Sequence, residues 1–111
     1  MLFLNHPLVR SRFLKQGRVY TLRSNRRKQG GPQALVYGSR FKHRRVGRGL
    51  VVLVKELKKL TPRSLAGFVR QSGFKTTNDW LQAYIHFNRG ACIEPAYVYQ
   101  VTRVKAKRAQ V

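Results

Sequence analysis

No acidic residue occurs before Glu56, and this absence restricts the possible folds and partners of the chain more than any other feature of its sequence. Thirteen lysines and arginines lie between Arg10 and Arg48, and the whole chain has 24 Lys and Arg against three acids, a formal net charge of +21. Charges of one sign repel each other in a compact fold, and a polyanionic partner relieves that repulsion. We therefore expect a cationic surface that binds a polyanion.

The composition nevertheless predicts a folded domain. Hydrophobic residues make up 42% of the 111 residues, which is typical of a globular protein and not of a disordered polycation. The chain shows no internal repeat and no low-complexity segment. We expect one domain over residues 1–104, followed by a basic tail at 105–111.

The cellular compartment is inferred from features that the sequence lacks. No apolar run approaches the roughly 20 residues of a membrane span, and the first residues lack the long apolar stretch of a secretory signal. Cys92 is the only cysteine, so a disulfide within the chain or a zinc knuckle is excluded. These features indicate a cytoplasmic protein that does not bind a membrane.

Local signals predict a first helix over residues 7–16. Asn5 or His6 can cap it, Pro7 suits its first turn, and Gly17 ends it. The side chains expected to face the core are Leu8, Val9, Phe13 and Leu14.

Two further helices follow in the second half of the chain. Thr61, followed by a proline, opens the second, which ends at Gly73, and Thr77 or Asn78 opens the third. An apolar stripe at helical spacing assigns the third helix to the core. Its members are Trp80, Leu81, Tyr84, Ile85 and Phe87.

Runs of β-branched and aromatic residues predict strands at 2–4, 18–23, 34–37, 50–57 and 96–104. The run at 50–57 contains four consecutive apolar residues, as in a strand that is buried on both faces. The basic clusters at 23–28 and 40–48 then fall in loops between strands. The predicted fold is α+β, with three helices and a small, mostly antiparallel sheet curled toward a barrel.

The basic clusters are the candidate nucleic-acid site. Arginine outnumbers lysine by 15 to 9, and arginine both forks onto phosphate and stacks on unpaired bases. The predicted phosphate contacts are Arg18, Arg23, Arg26, Arg27, Lys28, Arg40, Lys42, Arg44, Arg45 and Arg48. His43 lies among these residues in the sequence, and we expect it to be a solvated loop histidine close to the bound RNA.

Aromatic residues alternate with these cations. Tyr20, Tyr37 and Phe41 are each placed either to stack on bases or to pack in the core. Phe41 is flanked by cations on both sides, which favours stacking; core packing is favoured for the two tyrosines.

The segment from Gly17 to Arg23 resembles the ASCH domain, a small β-barrel family related to PUA RNA-binding domains. Residues 73–84 are similar to the segment that leads into that family's last helix, and residues 97–101 to its closing strand. The resemblance implies a ligand cleft beside Thr21. Arg18 and Thr21 replace, respectively, a lysine and an acid of the family signature.

Catalysis is the alternative interpretation. Some ASCH proteins resemble amidohydrolases that act on a modified nucleoside through Lys, Thr and Glu, and only Thr21 is present here in identical form. Arg18 is a poor base, because guanidinium stays protonated at neutral pH. A ribonuclease that uses His43 is a second enzymatic alternative.

No metal or cofactor motif stands out. The three histidines share no ligand spacing, the three acids are scattered, and the glycine pairs are adequately explained as turns. We expect a non-catalytic protein, without metal or cofactor, that binds structured RNA through its phosphate backbone. Ribosomal RNA is the favoured partner, and the free protein is expected to be a monomer. DNA compaction shares the charge but lacks the family resemblance.

Overall fold

The structure, a computed structural model, describes residues 1–27 and 31–104. The predicted basic tail and Lys28 lie outside the described residues. The helices are α1 (Pro7–Gln16), α2 (Pro62–Leu65) and α3 (Thr77–Phe87), with a 3-10 turn at Val69–Gln71. The strands are β1 (Leu2–Phe3), β2 (Arg18–Arg23), β3 (Gln33–Gly38), β4 (His43–Leu57) and β5 (Ala96–Arg103).

The strands form one sheet in the order β1-β3-β4-β5-β2. The β1–β3 pair is parallel, and the other three pairs are antiparallel. The predicted α+β fold with a mostly antiparallel sheet is therefore confirmed. The curl into a barrel is not confirmed, because β1 and β2 remain at opposite edges of an open sheet in the described ranges.

Helix α1 has the predicted bounds. The Nδ1 atom of His6 accepts a hydrogen bond from the backbone N–H of Leu8, and Gly17 takes the left-handed conformation that ends the helix. Val9 and Phe13 are buried, four residues apart on one side of the helix. The prediction was wrong for Leu8 and Leu14, which are about half exposed because they point to either side of that narrow stripe.

Strand β4 differs most from its prediction. It is 15 residues long and begins at His43, so part of the second basic cluster lies in a strand and not in a loop. Leu50, Val52 and Val54 are 38–42% exposed, whereas Val51 between them is buried. The strand is thus covered on one face only along this stretch, and the prediction of burial on both faces was wrong.

The second predicted helix is interrupted. Its first turn, α2, ends at Leu65, and the 3-10 turn follows after a gap that contains Gly67, a weak helix former. Helix α3 forms as predicted, with Thr76 as its cap instead of Thr77. Phe87, at its last position, is 55% exposed and lies outside the core.

The hydrophobic core lies between the sheet and the helices. Phe13 of α1 packs on one face of the sheet, and Trp80 and Tyr84 of α3 belong to the same buried cluster. No helix in the described part of the chain is long and apolar enough to cross a membrane.

Candidate nucleic-acid interface

Strands β3 and β4 form a hairpin whose turn, residues 39–42, carries three of the predicted contacts. We call these four residues the hairpin tip. The backbone N–H of Ser39 donates to the carbonyl of Lys42 at 2.9 Å, and the N–H of Lys42 donates to Oγ of Ser39 at 3.0 Å. Gly38 before the tip has a φ of 120°, and a Cβ there would lie 2.6 Å from the Lys42 oxygen. The turn is closed by its own hydrogen bonds, and Gly38 is required at its base.

Asn5 ties the hairpin to the chain just before α1. Its Oδ1 accepts the backbone N–H of Gly38 at 2.8 Å, and its Nδ2 donates to the Gly38 carbonyl at 3.1 Å. The Phe3 ring also lies edge-on to the ring of His43, with centroids 6.0 Å apart. These contacts hold the base of the tip in a fixed position on the sheet.

Two predicted arginines share one face of the sheet because β4 contains a bulge. The pairing register shifts by one residue between Leu35 and Val36, so Val46 is an extra residue on β4. Alternate residues of a regular strand point to opposite faces, which would separate Arg45 from Arg48, three positions later. The extra residue puts both on the same face, and both are exposed.

Arg18 lies on this same face, two strands away. Arg18 and Leu50 both pair with Thr102 of β5, and cross-strand partners point to the same side. Because Arg48 is two residues from Leu50, it also points to that side. Strands β2 and β4 are about 10 Å apart, given a spacing of about 4.8 Å per strand. We call the surface that carries Arg18, Arg45 and Arg48 the open face.

Arg44 points to the opposite side of the hairpin. It pairs with Tyr37, whose ring is covered by the guanidinium of Arg10 at 4.2 Å from the ring centroid. Arg10 also donates to the carbonyl of Leu4 at 3.2 Å. Tyr37 therefore stacks on an arginine of its own chain, a role that neither sequence alternative included.

Arg23 and Arg27 bind the protein's own backbone. Arg23 donates to the carbonyl of Phe3 at 2.7 Å, and Arg27 donates to that of Met1 at 2.9 Å. Burial, together with the nearby charge of Arg27, lowers the pKa of Arg23 to about 10. Both guanidinium groups thus hold the N-terminal residues in place, a structural role that the prediction of phosphate contacts did not include.

The remaining predicted residues have different surroundings. Arg26 is exposed after β2, and the tip residues Arg40 and Lys42 are also exposed. Tyr20 is half-buried, with its ring edge-on to Phe68 at 5.6 Å.

A cavity of about 250 Å³ opens beside Thr21, which is itself buried. Aromatic side chains form much of its wall, and Arg23 and Asn88 add polar groups. No carboxylate is among the described residues that line it. The cavity thus places Thr21 beside a cation, and its described lining contains no acid or lysine that could activate the hydroxyl.

The histidines lie on separate elements. His6 caps α1, His43 begins β4 and His86 is near the end of α3. Burial, with the charge of Arg10, lowers the pKa of His6. Among the described residues, no three His, Cys, Asp or Glu side chains come together as a group that could hold a metal ion.

Sequence reasoning missed the residues that shape this surface. Asn5 was assigned only as a possible helix cap, and its hydrogen bonds to Gly38 span 33 positions. Gly47, directly after Val46, is a sequence signal for the bulge, but the signal applies only within a strand and this segment was predicted to be a loop.

No protein-family model, curated protein or solved structure matches this chain.

Proposed function

We propose that this protein binds structured RNA, without catalysis, by contacting the phosphate backbone, and that ribosomal RNA is its partner. The proposal is carried by the placement of exposed cations: Arg18, Arg45 and Arg48 on one open face, beside the basic hairpin tip. Each Lys or Arg that neutralises a phosphate releases a condensed counterion, so grouped cations bind more tightly than scattered ones.

The acids support this assignment, because they do not neutralise the open face. The carboxylate of Glu94 accepts the backbone N–H of Leu60 at 2.6 Å, and Asp79 lies in the first turn of α3. Glu56 pairs with Tyr97, near the other end of β4 from the hairpin. The open face therefore keeps its positive charge for a partner.

The shape of the surface favours folded RNA over smooth duplex. Arginine on the open face can bind phosphate in a bidentate manner, and the hairpin tip can reach unpaired nucleotides that a duplex does not offer. We further propose that the chain is an ASCH-type, PUA-like domain, with the cavity beside Thr21 as the corresponding cleft. The segment from α1 through Gly17 into β2 supports this proposal. We propose that the protein is cytoplasmic, that it is a monomer when it is not bound to RNA, and that it associates with ribosomes.

Titration of a labelled, folded ribosomal RNA fragment at several salt concentrations tests the function. We expect log affinity to fall with log salt with a slope of magnitude ~4 or more. Competition with duplex DNA at physiological salt should favour the RNA.

Two results would overturn the proposal. A flat salt dependence would exclude backbone contacts, and tighter binding to duplex DNA would favour a DNA-compacting role. Incubation with single-stranded RNA tests the enzymatic alternative: cleavage that is lost in His43→Ala would make the protein a ribonuclease.

A further inference from the structure

Phe41, at the hairpin tip, is the most exposed large hydrophobic residue of the described chain. Its side chain is 95% exposed, against 55% for Phe87, the next in order. An aromatic ring in water carries a large unburied apolar area. Such a ring gains free energy from any partner that can cover it.

The tip holds the backbone that carries this ring in a defined place. The hydrogen bonds between Ser39 and Lys42 close the turn, and Asn5 fixes its base through Gly38. A backbone segment that is already held in its binding conformation loses less conformational entropy on binding than a flexible loop does. The arrangement is that of a preorganised contact and not of a residue on a long flexible loop.

The neighbours of Phe41 select the chemistry of its partner. Arg40 and Lys42 are exposed on either side, and Arg44 follows within the hairpin. A ring between cations suits a ligand that offers a flat π-face beside negative charge, which is the chemistry of a nucleotide. We infer that Phe41 stacks on an unpaired base of the bound RNA while the adjacent cations contact its phosphates. This inference rests on the proposed RNA-binding function and adds a preference for RNA with bulged or looped bases.

The test compares two RNAs that share one stem, with and without a single bulged 2-aminopurine. Phe41→Ala should weaken binding to the bulged RNA about 5- to 150-fold, the range of one base–aromatic stack. It should change binding to the fully paired stem much less. Phe41→Trp should retain the affinity, and the wild-type protein, but not Phe41→Ala, should quench the 2-aminopurine fluorescence.

Controls separate stacking from general apolar contact. Leu14→Ala removes another exposed apolar side chain, on α1, and should change neither affinity. Phe41→Leu keeps an apolar side chain without a π-face and should behave like Phe41→Ala. Full affinity in Phe41→Leu, or equal losses for both RNAs in Phe41→Ala, would overturn the inference.

The two proposals fail in different ways. If the wild-type protein binds neither RNA in a salt-dependent manner, the proposed function fails and the stacking inference fails with it. If it binds both and Phe41→Ala binds equally well, only the inference fails. A third outcome would identify the tip as a membrane contact. In that case the wild-type protein, but not Phe41→Ala, would bind vesicles of phosphatidylserine and phosphatidylcholine, and the wild-type protein would show no preference for the bulged RNA.

Discussion

Removing two arginines from the open face should change the salt dependence of RNA binding by a calculable amount. The double variant Arg45→Gln/Arg48→Gln removes two exposed charges that the bulge at Val46 places on one face. Each lost phosphate contact lowers the slope of log affinity against log salt by about 0.7 for single strands and about 0.9 for B-form duplex. The slope should therefore fall by about 1.4 to 1.8.

The smaller slope also implies a weaker RNA affinity for the double variant. At 0.1 M salt a slope change of that size corresponds to about 25- to 60-fold weaker binding, and the difference should vanish on extrapolation to 1 M salt. Fluorescence anisotropy with one labelled RNA at four or five salt concentrations between 0.05 and 0.3 M measures both quantities. Thermal unfolding should be unchanged, since both side chains are exposed.

The matched control removes the same charge elsewhere. Lys75 and Arg89 are exposed, flank α3 in the sequence and belong neither to the hairpin nor to the open face, and Lys75→Gln/Arg89→Gln makes an identical change in net charge. We expect this variant to lower the slope by less than 0.5. Equal slope changes in the two double variants would contradict this prediction, because overall charge and not the open face would then determine binding.

Two further predictions concern stability. Gly73→Ala should lower the free energy of unfolding by about 1–3 kcal/mol or more, since Gly73 has a φ of 93° and a Cβ there would lie 2.5 Å from the Leu8 carbonyl oxygen. Urea unfolding measures this loss. The control Gly67→Ala, whose Cβ would meet nothing within 4 Å, should not destabilise the protein. Burial and the nearby Arg10 lower the pKa of His6, so the unfolded chain binds more protons than the folded protein. The contribution of His6 to the free energy of unfolding is therefore fully present above about pH 6.5 and should be lost as the pH falls. His6→Asn keeps a capping side chain and should flatten that decline, and an identical pH dependence in the variant would contradict the assignment.

Short-range patterns accounted for much of the fold. The bounds of α1 followed from Pro7 and Gly17, and the existence of α3 followed from its apolar stripe, although its cap is Thr76 and not the predicted Thr77 or Asn78. The strands at 18–23 and 96–103 followed from β-branched and aromatic runs. These signals involve residues that are close along the chain, so they can be recognised without knowledge of any long-range contact.

The candidate site was predictable in composition but not in arrangement. Arg23 and Arg45 come from equally basic clusters, yet Arg23 binds the Phe3 carbonyl and Arg45 is exposed on the open face. The sequence does not distinguish them, because the partner of Arg23 lies 20 positions away.

The net charge and the bounds of α1 follow from the sequence alone, because each depends only on composition or on neighbours along the chain. Long-range contacts in the folded protein set which cations point to a common face and which bind the backbone. This arrangement depends on the pairing of Arg18 and Leu50 with Thr102 of β5 and on the hydrogen bond from Arg23 to the Phe3 carbonyl, which join residues that are distant in sequence. The turn between β3 and β4 leaves Phe41 exposed at the hairpin tip.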